Sequence, residues 1–151
     1  MYSFVVYLAL LSATMLVGLM TTLLTVMRPM WAKQAEALAA QSLQQFLTYA
    51  ATNRVLSTLS ILPVICSIVI FFIGAPRTTL LVYALCGGGV FLLGFFIWTA
   101  IFNLPIYRTV AKWDIAKAPD DVRSVLRRFH AVNLVRLAAA FAASILFFMA
   151  K

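Results

Sequence analysis

Four stretches of the chain, residues 4–26, 55–74, 80–101 and 132–149, contain no Asp, Glu or Lys and only one Arg, Arg136 in the last. A surface helix of a soluble protein keeps a charged face turned to water, and none of these runs has one. At 1.5 Å per residue, each is long enough to cross a hydrocarbon core of ~30 Å as a helix. The expected architecture is therefore an all-α integral membrane four-helix bundle, up-and-down and antiparallel. It forms a single membrane domain over residues 1–151, with long connections at 27–54 and 102–131. With 64% hydrophobic and 11% charged residues, only the connections are polar enough to be wet. The first run lacks the basic flank of a signal peptide and exceeds its apolar segment, so it reads as a retained span.

The charges also orient the bundle. Arg28, Lys33, Arg54, Arg108, Lys112, Lys117, Arg123, Arg127 and Arg128 fall on the first and third connections, against only Arg77 and Lys151 on the other side. The positive-inside rule then places both long connections in the cytoplasm of a bacterial inner or plasma membrane and both termini outside it. The net charge of +8 is read as attraction to the anionic lipid bilayer rather than to nucleic acid.

Local signals divide the chain further. Pro29 is expected to end the first helix, with Trp31 as an interfacial anchor. Residues 32–54 combine Ala35, Leu38, Ala39, Leu43, Phe46 and Ala50 at helical spacing with Gln34, Gln41, Gln44 and Gln45. Two readings stand: a separate amphipathic helix on the membrane surface, or the first turns of a long second helix. Pro63 removes the backbone donor to the Leu59 carbonyl and is expected to kink the second span. Gly74-Ala-Pro76-Arg77 is a tight turn, making spans two and three antiparallel neighbours. Ala84, Gly87, Gly88, Gly89 and Gly94 let the third span pack closely, against its own bundle or in a homo- or hetero-oligomer. They also offer bare backbone on which a flat ligand could lie. Cys66 and Cys86 fall at similar depth, as either a bridge or two inert buried thiols. The last connection is expected from Asn103 to about Ala118. Pro119-Asp120-Asp121 then opens a helix that continues through His130 into span four.

The chemistry available is narrow. One His and no intramembrane carboxylate exclude a zinc or di-iron site built within one chain, so no metal is expected. The missing acids also argue against ion-coupled transport. No Ser-His-Asp set and no phosphate-binding glycine loop is present. What remains is polar residues near the cytoplasmic ends of the spans. His130, Asn133 and Arg136 recur at i, i+3, i+6 and are assigned to one face of the fourth helix. Asn103 would cap the third helix. Thr21, Thr22 and Thr25 would line the end of the first, and Trp98 and Tyr107 would flank the site. Arg136 lies roughly 9 Å deeper than His130 and should face the bundle, to meet Asn103, helix carbonyls, Asp114, water or an anionic ligand. It could equally be a structural tie between the third and fourth helices.

The C-terminal third carries a resemblance. Asn103-Leu-Pro105-Ile-Tyr107, then Trp113-Asp114, then Arg127-Arg128-Phe-His130-Ala-Val-Asn133-Leu-Val-Arg136 resembles the motif set of the anthrone-oxygenase-like family of small four-span membrane proteins. Gly18 followed by a run ending in Met-Arg-Pro-Met is similar to that family's first helix. Tyr107 stands where the family commonly has Asn, and His130 where it commonly has Trp. The resemblance implies oxidation of a lipophilic aromatic, an anthrone, by molecular oxygen without a cofactor. Arg136 would then stabilise the enolate and His130 would remove the proton. Asn103 and Asn133 would orient the carbonyl, with Trp98, Tyr107 and Thr25 as further substrate contacts. The rival readings are a non-catalytic membrane subunit or assembly partner of a larger complex, and a lipophile-binding protein.

Overall fold

The fold is that of a computed structural model, which describes residues 1–114 and 120–151. It is all-helical: α1 (Tyr2–Lys33), α2 (Glu36–Thr52), α3 (Arg54–Ile73), α4 (Thr78–Ala111) and α5 (Val122–Met149). All but α2 are long and apolar enough to span a membrane. Each spanning helix packs on two others in the ring α1–α3–α4–α5, which closes back on α1. The Tyr2 hydroxyl donates to the Ala150 carbonyl at 2.7 Å, so the chain ends meet at one end of the bundle, as an even number of crossings requires.

Small residues make the seams. On α1, Val6, Ala9, Ala13, Leu16 and Met20 recur every three to four residues and are buried. On α5, Ala139, Ala140, Ala143 and Ser144 do the same. Such seams let backbones approach closely where lipid supplies no hydrophobic drive between helices. Gly88 shows how close: a Cβ there would collide with Ser67 Oγ on α3. Gly74 closes the turn after α3 with φ of 72°, a conformation that costs glycine nothing. Phe72, Phe141 and Phe148 point outward and are more than half exposed, as lipid contact permits. Cys66 is buried and Cys86 exposed; both are free thiols, so neither a bridge nor a buried pair exists.

Proline does not end the helices where expected. α1 runs through Pro29 to Lys33, and α4 runs past Asn103 and Pro105 to Ala111. In both, a wide π turn comes just before the proline, at Leu23–Met27 and at Thr99–Asn103, and the amides of Arg28 and Leu104 reach back five residues to Leu23 and Thr99. The extra residue in each turn relieves the clash of the ring with the carbonyl four positions earlier, so the helix continues. The last connection therefore starts after Ala111, and Asn103 is no cap but lies inside a helix. Trp31, expected at the interface, is carried under the bundle and is fully buried against Phe46, Phe129 and His130.

Of the two readings of residues 32–54, the separate helix holds. Gln34 and Asn53 are extended, and the Asn53 side chain accepts from the Leu56 amide to start α3. The face α2 buries is Ala39, Ala40, Leu43 and Leu47, while Leu38 is exposed. Gln44 Nε2 donates to the Val110 and Trp113 carbonyls at 3.0 and 3.2 Å, satisfying backbone left open where α4 ends. Arg123 does likewise for α1, donating to the carbonyls of Trp31 (2.9 Å) and Gln34 (2.5 Å). The expected helix start at Pro119 lies outside the described residues; α5 is helical from Val122 and runs unbroken through His130.

α3 remains helical across Pro63. The Leu59 carbonyl that Pro63 cannot serve accepts instead from Ser12 Oγ of α1, at 2.7 Å. Ser12→Ala should therefore cost about 1 kcal/mol in detergent unfolding. In a Pro63→Ala background, where the residue 63 amide can reach Leu59, the same substitution should cost measurably less; a double-mutant cycle reads the difference.

Candidate functional site

The polar cluster forms where α4 and α5 cross near the end that carries α2. Asn103 and Asn133 are fully buried and Arg136 is 8% exposed. Asn133 is the hub. Its Nδ2 donates to the Phe129 carbonyl at 2.8 Å, which fixes its Oδ1 as an acceptor toward the bundle. That oxygen takes Arg136 Nη1 at 2.8 Å and, more weakly, Asn103 Nδ2 at 3.4 Å. The guanidinium also lies over the Phe95 ring, 4.3 Å from its centroid, and Phe95 stacks on Phe91 at 4.7 Å. A cation over an aromatic face gains roughly 1–2 kcal/mol when desolvated. Arg136 makes no ion pair among the described residues, and its Nε has no hydrogen-bond partner among them. A full positive charge is thus held in the interior by an amide oxygen and a ring, with no carboxylate paired to it among the described residues.

That charge borders a cavity. Arg136 and Tyr107 line a pocket of about 260 Å³, with Ala50 and Ala51 of α2, Leu56, Ser57, Ser60 and Ile61 of α3, and Phe96 and Thr99 of α4. The Tyr107 phenol is close enough to interact directly with the guanidinium. Ser57 and Ser60 donate to the carbonyls four residues back, which leaves their oxygens free to accept. Ile61 and Phe96, at the rim, are exposed on the outer face of the bundle, so the pocket opens sideways.

The residues singled out from sequence separate. Asn103, Asn133, Arg136 and Tyr107 come together. His130 does not join them. At about 100° per residue, positions six apart lie about 120° apart around a helix, so the expected shared face of His130 and Arg136 does not exist. Asn133 sits between them, and His130 turns toward α1, stacked on Trp31 with ring centroids 5.7 Å apart. It lines a different cavity together with Arg28. A second positive charge on His130 would face that arginine while itself buried, so the neutral imidazole is the favoured form. Trp98 donates its Nε1 to the Val132 carbonyl at 3.2 Å and packs on Phe102, joining α4 to α5 rather than lining the pocket. Thr25 is exposed and donates to the Thr21 carbonyl of its own helix; Thr22 behaves alike. Sequence reasoning missed Phe95, one of 12 phenylalanines with nothing to distinguish it. It also missed Ser57, Ser60 and Thr99, whose only signal was a few hydroxyls at the ends of apolar runs. Among the described residues no three His, Cys, Asp or Glu side chains are placed to hold a metal ion.

Asn133→Ala should destabilise the fold by about 2–4 kcal/mol, since it strips a buried cation of its main acceptor. Asn103→Ala, which loses a single long bond, should cost clearly less; thermal unfolding in detergent compares the two.

No curated protein and no solved structure matches the chain. A family model does: the anthrone oxygenase model matches residues 45–146, well over half of the chain and all of the Asn103–Tyr107–Asn133–Arg136 cluster. The chain belongs to the anthrone oxygenase family.

Proposed function

We propose that the protein is a membrane-embedded oxidoreductase that oxidises an anthrone-like lipophilic aromatic to the corresponding quinone with dioxygen. One observation carries this reading: a buried Arg136, with no ion pair among the described residues, at the wall of a laterally open pocket, with the Tyr107 hydroxyl beside it. The pocket, at about 260 Å³, is slightly below the roughly 300 Å³ at which small-molecule sites begin. A flat tricyclic therefore enters by its oxygen-bearing edge and leaves its remainder in the acyl phase.

The chemistry needs little more than this. An anthrone ketone acidifies the methylene opposite it in the central ring. Loss of one methylene proton gives an enolate whose oxygen carries the charge, and Arg136 stabilises that charge in a medium without competing water. Tyr107, Ser57 and Ser60 supply the hydroxyls that pass the proton outward. The electron-rich enolate gives one electron to dioxygen, and the radical pair joins carbon to oxygen as a peroxide anion, which takes a proton back through the same hydroxyls to become a hydroperoxide. Loss of water from the hydroperoxide breaks the second C–H bond and the O–O bond and leaves a new carbonyl. One dioxygen is consumed, one of its atoms enters the quinone and the other leaves as water. In this reading Asn133 and Asn103 are positioning residues that aim the guanidinium. The excess of basic residues at the α2 end supports a cytoplasmic position for that end, and for the pocket mouth, in a bacterial inner membrane.

The purified protein, given an anthrone, should take up one equivalent of oxygen per quinone formed. Arg136→Ala should lower kcat/KM by about 10²–10³-fold, as expected for losing a preorganised group that meets developing charge. A larger loss in His130→Ala than in Arg136→Ala would move the site to the α1 side and overturn the assignment. Tight anthrone binding with no oxygen uptake would leave lipophile binding as the function.

A further inference from the structure

Two cavities adjoin between α1 and α5 at the basic end, about 340 and 430 Å³ in volume, and Arg28, Arg127 and His130 line both. The smaller adds Trp31; the larger adds Leu24 and Leu134. Trp31 is fully buried and His130 is 7% exposed, yet Trp31 Nε1 and His130 Nδ1 have no hydrogen-bond partner among the described residues. Arg123, also at the smaller cavity, is already engaged by the carbonyls at the end of α1 and by Glu36 at 3.6 Å. Arg28 and Arg127 are exposed and make no hydrogen bond or ion pair among the described residues. Among the described residues no carboxylate lines either cavity.

We infer that this cleft binds one anionic phospholipid, with its phosphate between Arg28 and Arg127 and an acyl chain along Leu24 and Leu134. Each of the two uncommitted guanidiniums is a planar fork that can donate to two oxygens of a tetrahedral phosphate. The Trp31 and His130 rings wall the cleft beside the two arginines. The site also lies at headgroup depth: Arg28 is two residues beyond the first apolar run and Arg127 five before the fourth. A soluble phosphate would use the arginines but leave the apolar lobe unexplained, whereas a lipid fills both. The inference concerns the opposite side of α5 from Arg136 and does not depend on the oxidation chemistry.

Native mass spectrometry of the full chain in a non-ionic detergent tests it, with phosphatidylglycerol, phosphatidylcholine of the same chains, and sodium phosphate as separate probes. One phosphatidylglycerol should be retained, roughly tenfold or more tighter than phosphatidylcholine, and sodium phosphate at millimolar concentration should not displace it. The double variant Arg28→Ala/Arg127→Ala should weaken retention by about tenfold or more, while Arg77→Ala at the opposite end leaves it unchanged. As an independent readout on the unaltered protein, brominated phosphatidylglycerol should quench tryptophan fluorescence more than brominated phosphatidylcholine, and Trp31→Phe should remove that difference. Equal retention of the two lipids, unchanged binding in the double variant, equal quenching, or displacement by sodium phosphate would each overturn the assignment.

Discussion

The contact on which the site depends is that between Arg136 and the side-chain oxygen of Asn133, 2.8 Å apart. An acid in place of this amide would neutralise the guanidinium and close the site electrically. An amide holds the cation in position and leaves its charge intact. Burying a net charge this way is costly, and the costs are offset locally: Phe95 presents its π face and Tyr107 its hydroxyl, and Asn133 is itself locked to the Phe129 carbonyl. The result is a preorganised positive pole in a medium that would otherwise reject it.

The same economy governs the backbone. Every amide or carbonyl freed inside lipid must find a partner within the protein. Three prolines lie in the spanning helices, and two devices handle them. The Leu59 carbonyl facing Pro63 takes a serine from a neighbouring helix, while Pro29 and Pro105 follow turns widened by one residue. The second device has a functional consequence. By carrying α4 beyond Asn103, the π turn keeps Tyr107 on the same helix and brings it beside Arg136, so the site is framed by continuous helices rather than by a loop.

The spans were legible because lipid demands apolar residues on every face, a pattern few other environments allow. The Asn133–Arg136 pair was legible for a related reason: polar groups within such a run are rare, and three residues apart on a helix they must be neighbours. Extending the argument to His130 failed because a second step of three accumulates angular drift, enough to turn the ring to another helix. The helix ends after Pro29 and Pro105 were hidden because proline penalises a regular helix, and nothing in the local sequence announces an irregular one. Trp31 was misread as an anchor on the same account. Phe95 and Gln44 act through partners on other elements, distant in sequence, which a pattern along one helix cannot reveal.

The sideways opening past Ile61 and Phe96 has a kinetic corollary. On the proposed reading, a hydrophobic compound reaching Arg136 by that route never leaves the bilayer, so the protein samples its mole fraction in the lipid rather than its concentration in water. Apparent saturation then scales with the amount of membrane present. Diluting the same substrate into more lipid lowers occupancy even when the total in the tube is constant. Poor aqueous solubility, a handicap for binding from water, would then be the means by which such a pocket fills.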